Sequence, residues 1–359
     1  MPDVLDAIVP VDALTSFTAD LFVASGLAYG DALLTASTLV EADLRGVISH
    51  GTRLVPGYLR RMRDGGVNVQ PSIRVLREGP AFIQLDGDNG LGQVVAHRAM
   101  QHAIACARRV GVGLAGVVNS NHFGAAAYWA MMASSVGMIG FATTNTASAT
   151  MVAPNGAEAA VGNNPLSFAV PAGAEPPIVL DMACGVAAAG KIGVAAMKGE
   201  PIPLGWGLTA DGEPTTDPNA VNLILPLGPK GFGLAVITDI LAGPLQGDLA
   251  TVRKVGGRAS NQPGRCGHFF LAIDVGALTD PKTFGAEIDA QIRAVRATRP
   301  RIGFDRVYLP GEIEWLQSQE RRRGGVPIHP DQWRSLVSIA RELGVTVPSR
   351  GVSSESPAT

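Results

Sequence analysis

VGVGLAGVVNSNHFGAAAYWAMMASSVGMIGFATTNTASATMVAPNGA, residues 110–157, contains no Asp, Glu, Lys or Arg. A membrane helix needs ~20 mostly apolar residues. This run is interrupted by NSNHFG, by Ser134-Ser135 and by TTNTASAT, whose polar groups would lack partners in lipid. It therefore reads as a buried strand–helix–strand unit: VGLAGVVN, a helix around Ala125–Ser135, then VGMIGFATT.

Working outward, residues 93–109 (QVVAHRAMQHAIACARR) have the spacing of an amphipathic helix, with Val94, Ala99, Ile104 and Cys106 among its small apolar positions. IRVLREG and AFIQLDG before it read as two strands of a hairpin. Two helices are expected over residues 10–45, with Asp12 and Asp31 as caps and Gly26 and Gly46 as stops. A third is expected over 52–65. Downstream, FAVPAG and PIVLDMA read as strands, LAVITDILAGPLQ as a helix and GHFFLAIDV as a strand. Helices follow over 283–299 and 330–344. Elements of both kinds alternate with no linker and no repeat, so the expected class is α/β. The expected organisation is one interleaved unit over 1–350. It has a helical part from about 1–75 and 300–350, a sheet-containing part from about 76–299, and a disordered tail at 351–359.

Composition narrows the function. The 359 residues carry a net charge of −2 with a pI of about 6.3, which excludes the basic footprint of a nucleic-acid protein. Apolar residues make up 46% and charged ones 17%, the reverse of a disordered chain. Aromatics are only 5%, so the core must be built from Ala, Val, Leu, Ile and Gly in closely packed layers, with an interface between subunits hiding further apolar surface. The three cysteines, Cys106, Cys184 and Cys266, form no CxxC pair. Neither a zinc ribbon nor a disulfide framework is expected, and a reducing, cytoplasmic setting follows. MPDVLDAIVP has no basic segment, so no secretory signal is expected.

Two motifs are decoys. GVGLAG, Gly111–Gly116, spells G-x-G-x-x-G, but a helix precedes it and a strand follows, the reverse of a dinucleotide fingerprint. DGDNGLG, from Asp86, resembles a calcium loop, but its twelfth position is His97 rather than Glu. His97 and His102 are five apart and do not share a helix face, so no metal site is expected. His268 reads as structural, and His329 as a surface loop residue. Two histidines carry chemical promise. His50, in ISHGTR, follows Ser49, whose hydroxyl orients an imidazole and relays a proton. His122, in NSNHFG, stands at a strand–helix junction, where ligands meet backbone N–H groups.

DLRGVISHG, LDGDNGLGQ, VVNSNHFGAAAYWA, NTASATMVAP, NNPLSFAVPAG, VLDMA, GKI, GEPTTDP, PKGFGLA, GHFFLAID and LPGEIE occur in this order over nearly the whole chain. Together they resemble the type 2 malate/L-lactate dehydrogenase family. That family is unrelated to the Rossmann-fold lactate and malate dehydrogenases. It also includes ureidoglycolate and sulfolactate dehydrogenases, diketogulonate reductase and the Δ1-piperideine-2-carboxylate reductases. The resemblance implies a non-Rossmann α/β fold with a large central sheet flanked by helices and with N- and C-terminal helices packed together. It also implies NAD or NADP as cofactor and a homodimer. The helical part becomes the substrate side and the sheet-containing part the cofactor side. Ser49 and His50 become the proton-transfer pair. His122 lies at substrate and nicotinamide, and Phe123 and Gly124 touch the cofactor. Asp181, Met182, Ala183, Lys230, Gly311 and Glu312 bind the dinucleotide.

The implied reaction moves hydride between the nicotinamide and a small 2-hydroxy or 2-keto carboxylic acid. The competing readings are reduction of cyclic or N-alkyl imino acids, and a non-catalytic homo-oligomeric binding protein. No nucleic-acid or membrane partner is expected. The substrate blocks depart from the family. Its carboxylate-binding arginine, four residues past the histidine, is Leu54 here, and Arg53 stands one residue earlier. Asn163 of GNNP occupies the place of a substrate-side threonine. Lys191 stands where imine-reducing members carry an acid, and Cys184-Gly185 replace Thr-Ser after DMA.

Overall fold

The computed structural model describes residues 7–254 and 259–349, with the backbone of 351–352. The chain divides into two compact units, one of residues 1–65 and 313–359, the other of residues 66–312.

In the first unit, Ala7–Val9 is the middle strand of a three-stranded antiparallel sheet, between Val326–Ile328 and Gly351–Val352. The tail expected from residue 351 therefore starts as a strand, and 353–359 lie outside the described residues. Helices Val11–Ala24 and Tyr29–Leu44 pack together, and Leu14, Phe17, Leu21 and Phe22 of the one and Ala36, Leu39 and Val40 of the other are buried. Asp12 and Asp31 lie within the first turns rather than at the caps, which are Pro10 and Ala28. There the carboxylates still face the positive end of the helix dipole. N- and C-terminal helices do pack together: the Phe17 ring meets Trp333 of helix Pro330–Leu343 at 5.9 Å. The helix expected over 52–65 begins only at Val55, and Thr52–Leu54 is a separate 3-10 turn.

The second unit is organised by a seven-stranded sheet. Its order is Arg74–Gly79, Phe82–Asp86, Val112–Ser120, Cys266–Asp274, Met138–Thr144, Pro165–Val170, Ile178–Ala183. Every neighbouring pair is antiparallel except Phe82–Asp86 with Val112–Ser120. The two strands of the charge-free run are not neighbours. Cys266–Asp274 lies between them, antiparallel to both, so neither is paired directly with the other.

Helices Gly92–Val110 and Ala126–Ser134 cover the sheet with Ala99, Ala103, Ala107, Ala127, Ala130 and Ala133. This is why aromatics are scarce. A Cβ on Gly113 would strike the Ala103 carbonyl, and one on Gly140 the Ala130 carbonyl. The helices thus rest directly on strand backbone. The glycine decoy is explained in the same terms: Gly111 is the left-handed cap of helix Gly92–Val110, and Gly113 is a packing site. The end of the run enters a second, five-stranded sheet, ordered Pro214–Thr215, Gly207–Leu208, Leu223–Ile224, Met151–Val152, Ala159–Val161. Strands of two or three residues carry too little periodicity to be read in advance.

Candidate active site

The first unit presents the SHG loop. Helix Tyr29–Leu44 ends, and Gly46 turns the chain at φ +76°. The 3-10 turn Ile48–His50 follows. Ser49 Oγ lies 2.9 Å from His50 Nδ1, a hydrogen bond that orients the ring. Burial holds the His50 imidazole below its ordinary value. Arg53, partly buried, belongs to the next 3-10 turn rather than to a regular helix. It forms no ion pair among the described residues.

The second unit presents the NHFG loop. Strand Val112–Ser120 delivers it, and two neighbours fix it. Asn121, 2% exposed, donates to the carbonyls of Asn89 and Gly90, both at 2.9 Å. These belong to the DGDN segment, which turns through left-handed Asp88 and Asn89. Phe123 is fully enclosed, and its ring stacks on His268 at 4.8 Å and 14°. Trp129 Nε1 donates to the Phe123 carbonyl at 3.1 Å. The Phe123 side chain is thus the anchor of the loop. His122 is exposed, and Gly124, at φ +80°, donates its N–H to His122 Nδ1 at 3.4 Å.

His268 was read from sequence as structural, and its contacts tie it to this loop. It is wholly buried, with Nδ1 2.8 Å from Thr144 Oγ1 and Nε2 2.9 Å from Ser120 Oγ. Burial, with the nearby charges of His122 and Lys254, takes its pKa down to about 3. The ring is therefore neutral. Gln93 was passed over as a helix residue. It is fully buried beside Gly124, and neither end of its amide has a partner among the described residues. An orphaned buried amide costs roughly 1–3 kcal/mol per group, so Gln93 marks polar demand next to the loop.

A third group gathers around the edge strand Ile178–Ala183. The Val179 N–H donates to the Pro310 carbonyl at 3.0 Å, bringing in the LPGE turn. Gly311 is left-handed at φ +80°, and a Cβ there would stand 2.6 Å from the Val179 carbonyl. At the other end, Leu227 N–H donates to the Cys184 carbonyl at 2.9 Å. This seats the first turn of helix Gly228–Ala242, with Lys230 exposed and forming no ion pair among the described residues. An ammonium beside a helix N-terminus is phosphate-binding chemistry. Asp181 is exposed on the same strand, Met182 packs beside Phe141 and Cys184, and Ala183 is half-buried.

Glu312, 6% exposed, faces Arg296 at 3.0 Å and Arg306, and accepts from Leu309 N–H at 3.0 Å. Its carboxylate holds the LPGE turn. Asn163 accepts from Gly185 N–H at 2.7 Å and donates to the Ala187 carbonyl at 3.2 Å, pinning the segment after DMA. Lys191 lies over the Trp206 ring at 5.0 Å. Among the described residues no cluster of His, Cys, Asp or Glu suits a metal ion, and no helix is long and apolar enough to cross a membrane.

The sequence pattern of the malate/L-lactate dehydrogenase family matches residues 9–337. The malate dehydrogenase of Pyrococcus horikoshii is 39% identical over 349 residues, covering 94% of this chain and 96% of that one. The ureidoglycolate dehydrogenase (NAD(+)) of Escherichia coli strain K12 is 36% identical over 320 residues, covering 88% and 91%. The structure of sulfolactate dehydrogenase from Methanocaldococcus jannaschii superposes with a TM-score of 0.87 at 35% identity, covering 95% of this chain and 98% of that one.

Proposed function

Because the chain belongs to the malate/L-lactate dehydrogenase family, we propose that it interconverts a small 2-hydroxy carboxylic acid and its 2-keto form with NAD or NADP, using Ser49 and His50 for the proton. The observation that carries this reading is the Ser49–His50 pair at 2.9 Å, partly buried, with an imidazole pKa lowered by burial. Malate, sulfolactate and ureidoglycolate, named for the relatives, share a hydroxyl next to a carboxylate, which supports the substrate class.

The residues fit a dinucleotide. Lys230 and the start of its helix suit phosphate oxygens. The close backbone approach at Gly311 and the exposed carboxylate of Asp181 suit ribose hydroxyls. Met182 and Ala183 line the same strand. Glu312 serves by holding the turn through Arg296 and Arg306. His122 offers its exposed ring to substrate and nicotinamide, Gly124 turns the loop behind it, and Phe123 is their anchor. Arg53 meets the substrate carboxylate as a cation, and Asn163 shapes the substrate side by fixing Gly185. Bound nicotinamide supplies or takes up the hydride at the carbon bearing oxygen. His50 gives a proton to that oxygen as the alkoxide develops, and removes it in oxidation, with Ser49 holding the ring.

The protein acts as a homodimer in the cytoplasm. Leu234, Ile237 and Ile240 of helix Gly228–Ala242 are 43%, 56% and 45% exposed, a ridge that a second copy would cover. Its three cysteines are buried and form no disulfide among the described residues, in keeping with a reducing compartment.

The test is a panel of 2-keto acids and cyclic imines assayed with NADH and NADPH by loss of absorbance. Turnover of a 2-keto acid is expected. Turnover of imines alone would replace this reading with the imino-acid one, and binding of neither cofactor would leave only a non-catalytic role.

A further inference from the structure

Asp43 lies seven residues before His50, near the end of helix Tyr29–Leu44. It is 1% exposed. The chain turns back at Gly46, so the residues after His50 return over the Asp43 carboxylate. Thr52 donates to Oδ2 twice, from its N–H at 2.8 Å and from its hydroxyl at 2.5 Å. That hydroxyl also accepts from Gln332 Nε2 at 2.8 Å, on helix Pro330–Leu343. A Cβ on Gly51 would fall on the Asp43 carboxylate itself. Arg321 donates to the Asp43 backbone carbonyl. The residue between the Ser49–His50 pair and Thr52 thus rests on one carboxylate, and the next is doubly hydrogen-bonded to it.

Burying a carboxylate costs several kcal/mol unless it is fully paired. Here burial dominates and pushes the Asp43 pKa up to about 6, against the Thr52 hydrogen bonds and the Arg321 charge. Such a costly group directly under a reacting loop is the pattern of a site organised for chemistry.

We propose that Asp43 is the positioning residue of the proton-transfer loop: through Gly51 and Thr52 its carboxylate sets the place and burial of His50. This rests on the reading of His50 as the proton donor. Asp43 touches neither substrate nor cofactor. Its effect is on orientation, where a displacement of ~1 Å costs on the order of a hundredfold in rate.

The experiment compares Asp43→Ala, Asp43→Asn and Thr52→Val with wild type for kcat, its pH profile and the NADH Kd by fluorescence titration. In Asp43→Ala, kcat should fall at least about tenfold while the Kd changes by less than about twofold. The limb of the profile assigned to His50 should move up toward pH ~6.5 as the ring loses its burial. Asp43→Asn keeps an acceptor for Thr52 and should recover most of the rate. Thr52→Val keeps the shape, loses the hydroxyl link and should lower kcat in the same way. This variant carries the test if Asp43→Ala does not fold. A folded Asp43→Ala or Thr52→Val with wild-type kcat and an unmoved limb overturns the inference, as does a loss that Asp43→Asn does not recover. His50→Ala separates the two readings. If it retains normal turnover, the assignment of His50 fails. If it is inactive while Asp43→Ala is normal, only the role of Asp43 fails.

Discussion

At the scale of single residues, two histidines with lowered pKa values serve different ends. His50 is held down by burial while paired to Ser49. A base with a lowered pKa stays deprotonated at lower pH, so the acid limb of kcat for oxidation should lie below pH ~6.5. His50→Ala should lower kcat at least about a hundredfold with cofactor binding retained. Rates and fluorescence titration of one preparation check this, and near-normal turnover refutes it. His268 lies between two hydroxyls and against Phe123. Its folded pKa of about 3 is below the ordinary 6.5. The unfolded chain therefore binds a proton that the folded chain does not, and stability is lost as pH falls through this window. His268→Phe orphans the Ser120 hydroxyl, while Thr144 keeps its bond to the Gly267 carbonyl, and should cost roughly 1–3 kcal/mol at pH ~7.5. The gap to wild type should narrow at pH ~5, because the variant has no imidazole to charge. Denaturant melts at the two pH values decide it, and a gap that widens on acidification contradicts the sign.

At the scale of elements, the helix–sheet layer depends on the absence of side chains. Gly113 and Gly140 let the carbonyls of Ala103 and Ala130 approach strand backbone. Gly140→Val should destabilise by about 1–3 kcal/mol through overpacking. It should lower the melting temperature by several degrees, and an unchanged melt would show that the layer yields freely. The strand VGLAGVVN was legible from its nearly continuous run of small apolar residues between two turn signals. GHFFLAIDV was legible as a strand too, but its place between VGLAGVVN and VGMIGFATT was not, because its partners lie about 125–160 residues upstream and pairing over such separations has no local signature. The left-handed Gly111 cap ended a visible helix, and this exposed the glycine decoy before any coordinates.

At the scale of the whole molecule, the charge-poor composition has two destinations. Much of it is the alanine-rich layer around the sheet. The rest is apolar surface, with Leu234, Ile237 and Ile240 exposed on one helix and Leu245 and Val252 just beyond it. If this ridge meets a second copy, Ile237→Glu should yield a species of half the mass in light scattering, since a buried unpaired charge at an interface costs several kcal/mol. A variant that sediments like wild type would remove this helix from the interface.

What the amino-acid order determined by itself was local or cumulative: helices from their spacing, the apolar strands, the rejection of the glycine motif, and a family pattern spread over eleven blocks. Ser49 and His50 were legible because they are adjacent. Only the tertiary structure decided what reaches them from a distance. Asp43 became a support of the loop because Gly46 folds Thr52 back onto it. His268 became part of the His122 loop through a ring contact across 145 residues of chain. Glu312 gained Arg296 and Arg306 as partners. In each case the side chain was visible in the sequence, but its partner was set by the closing of the chain, where burial and hydrogen-bond satisfaction choose among many possible neighbours.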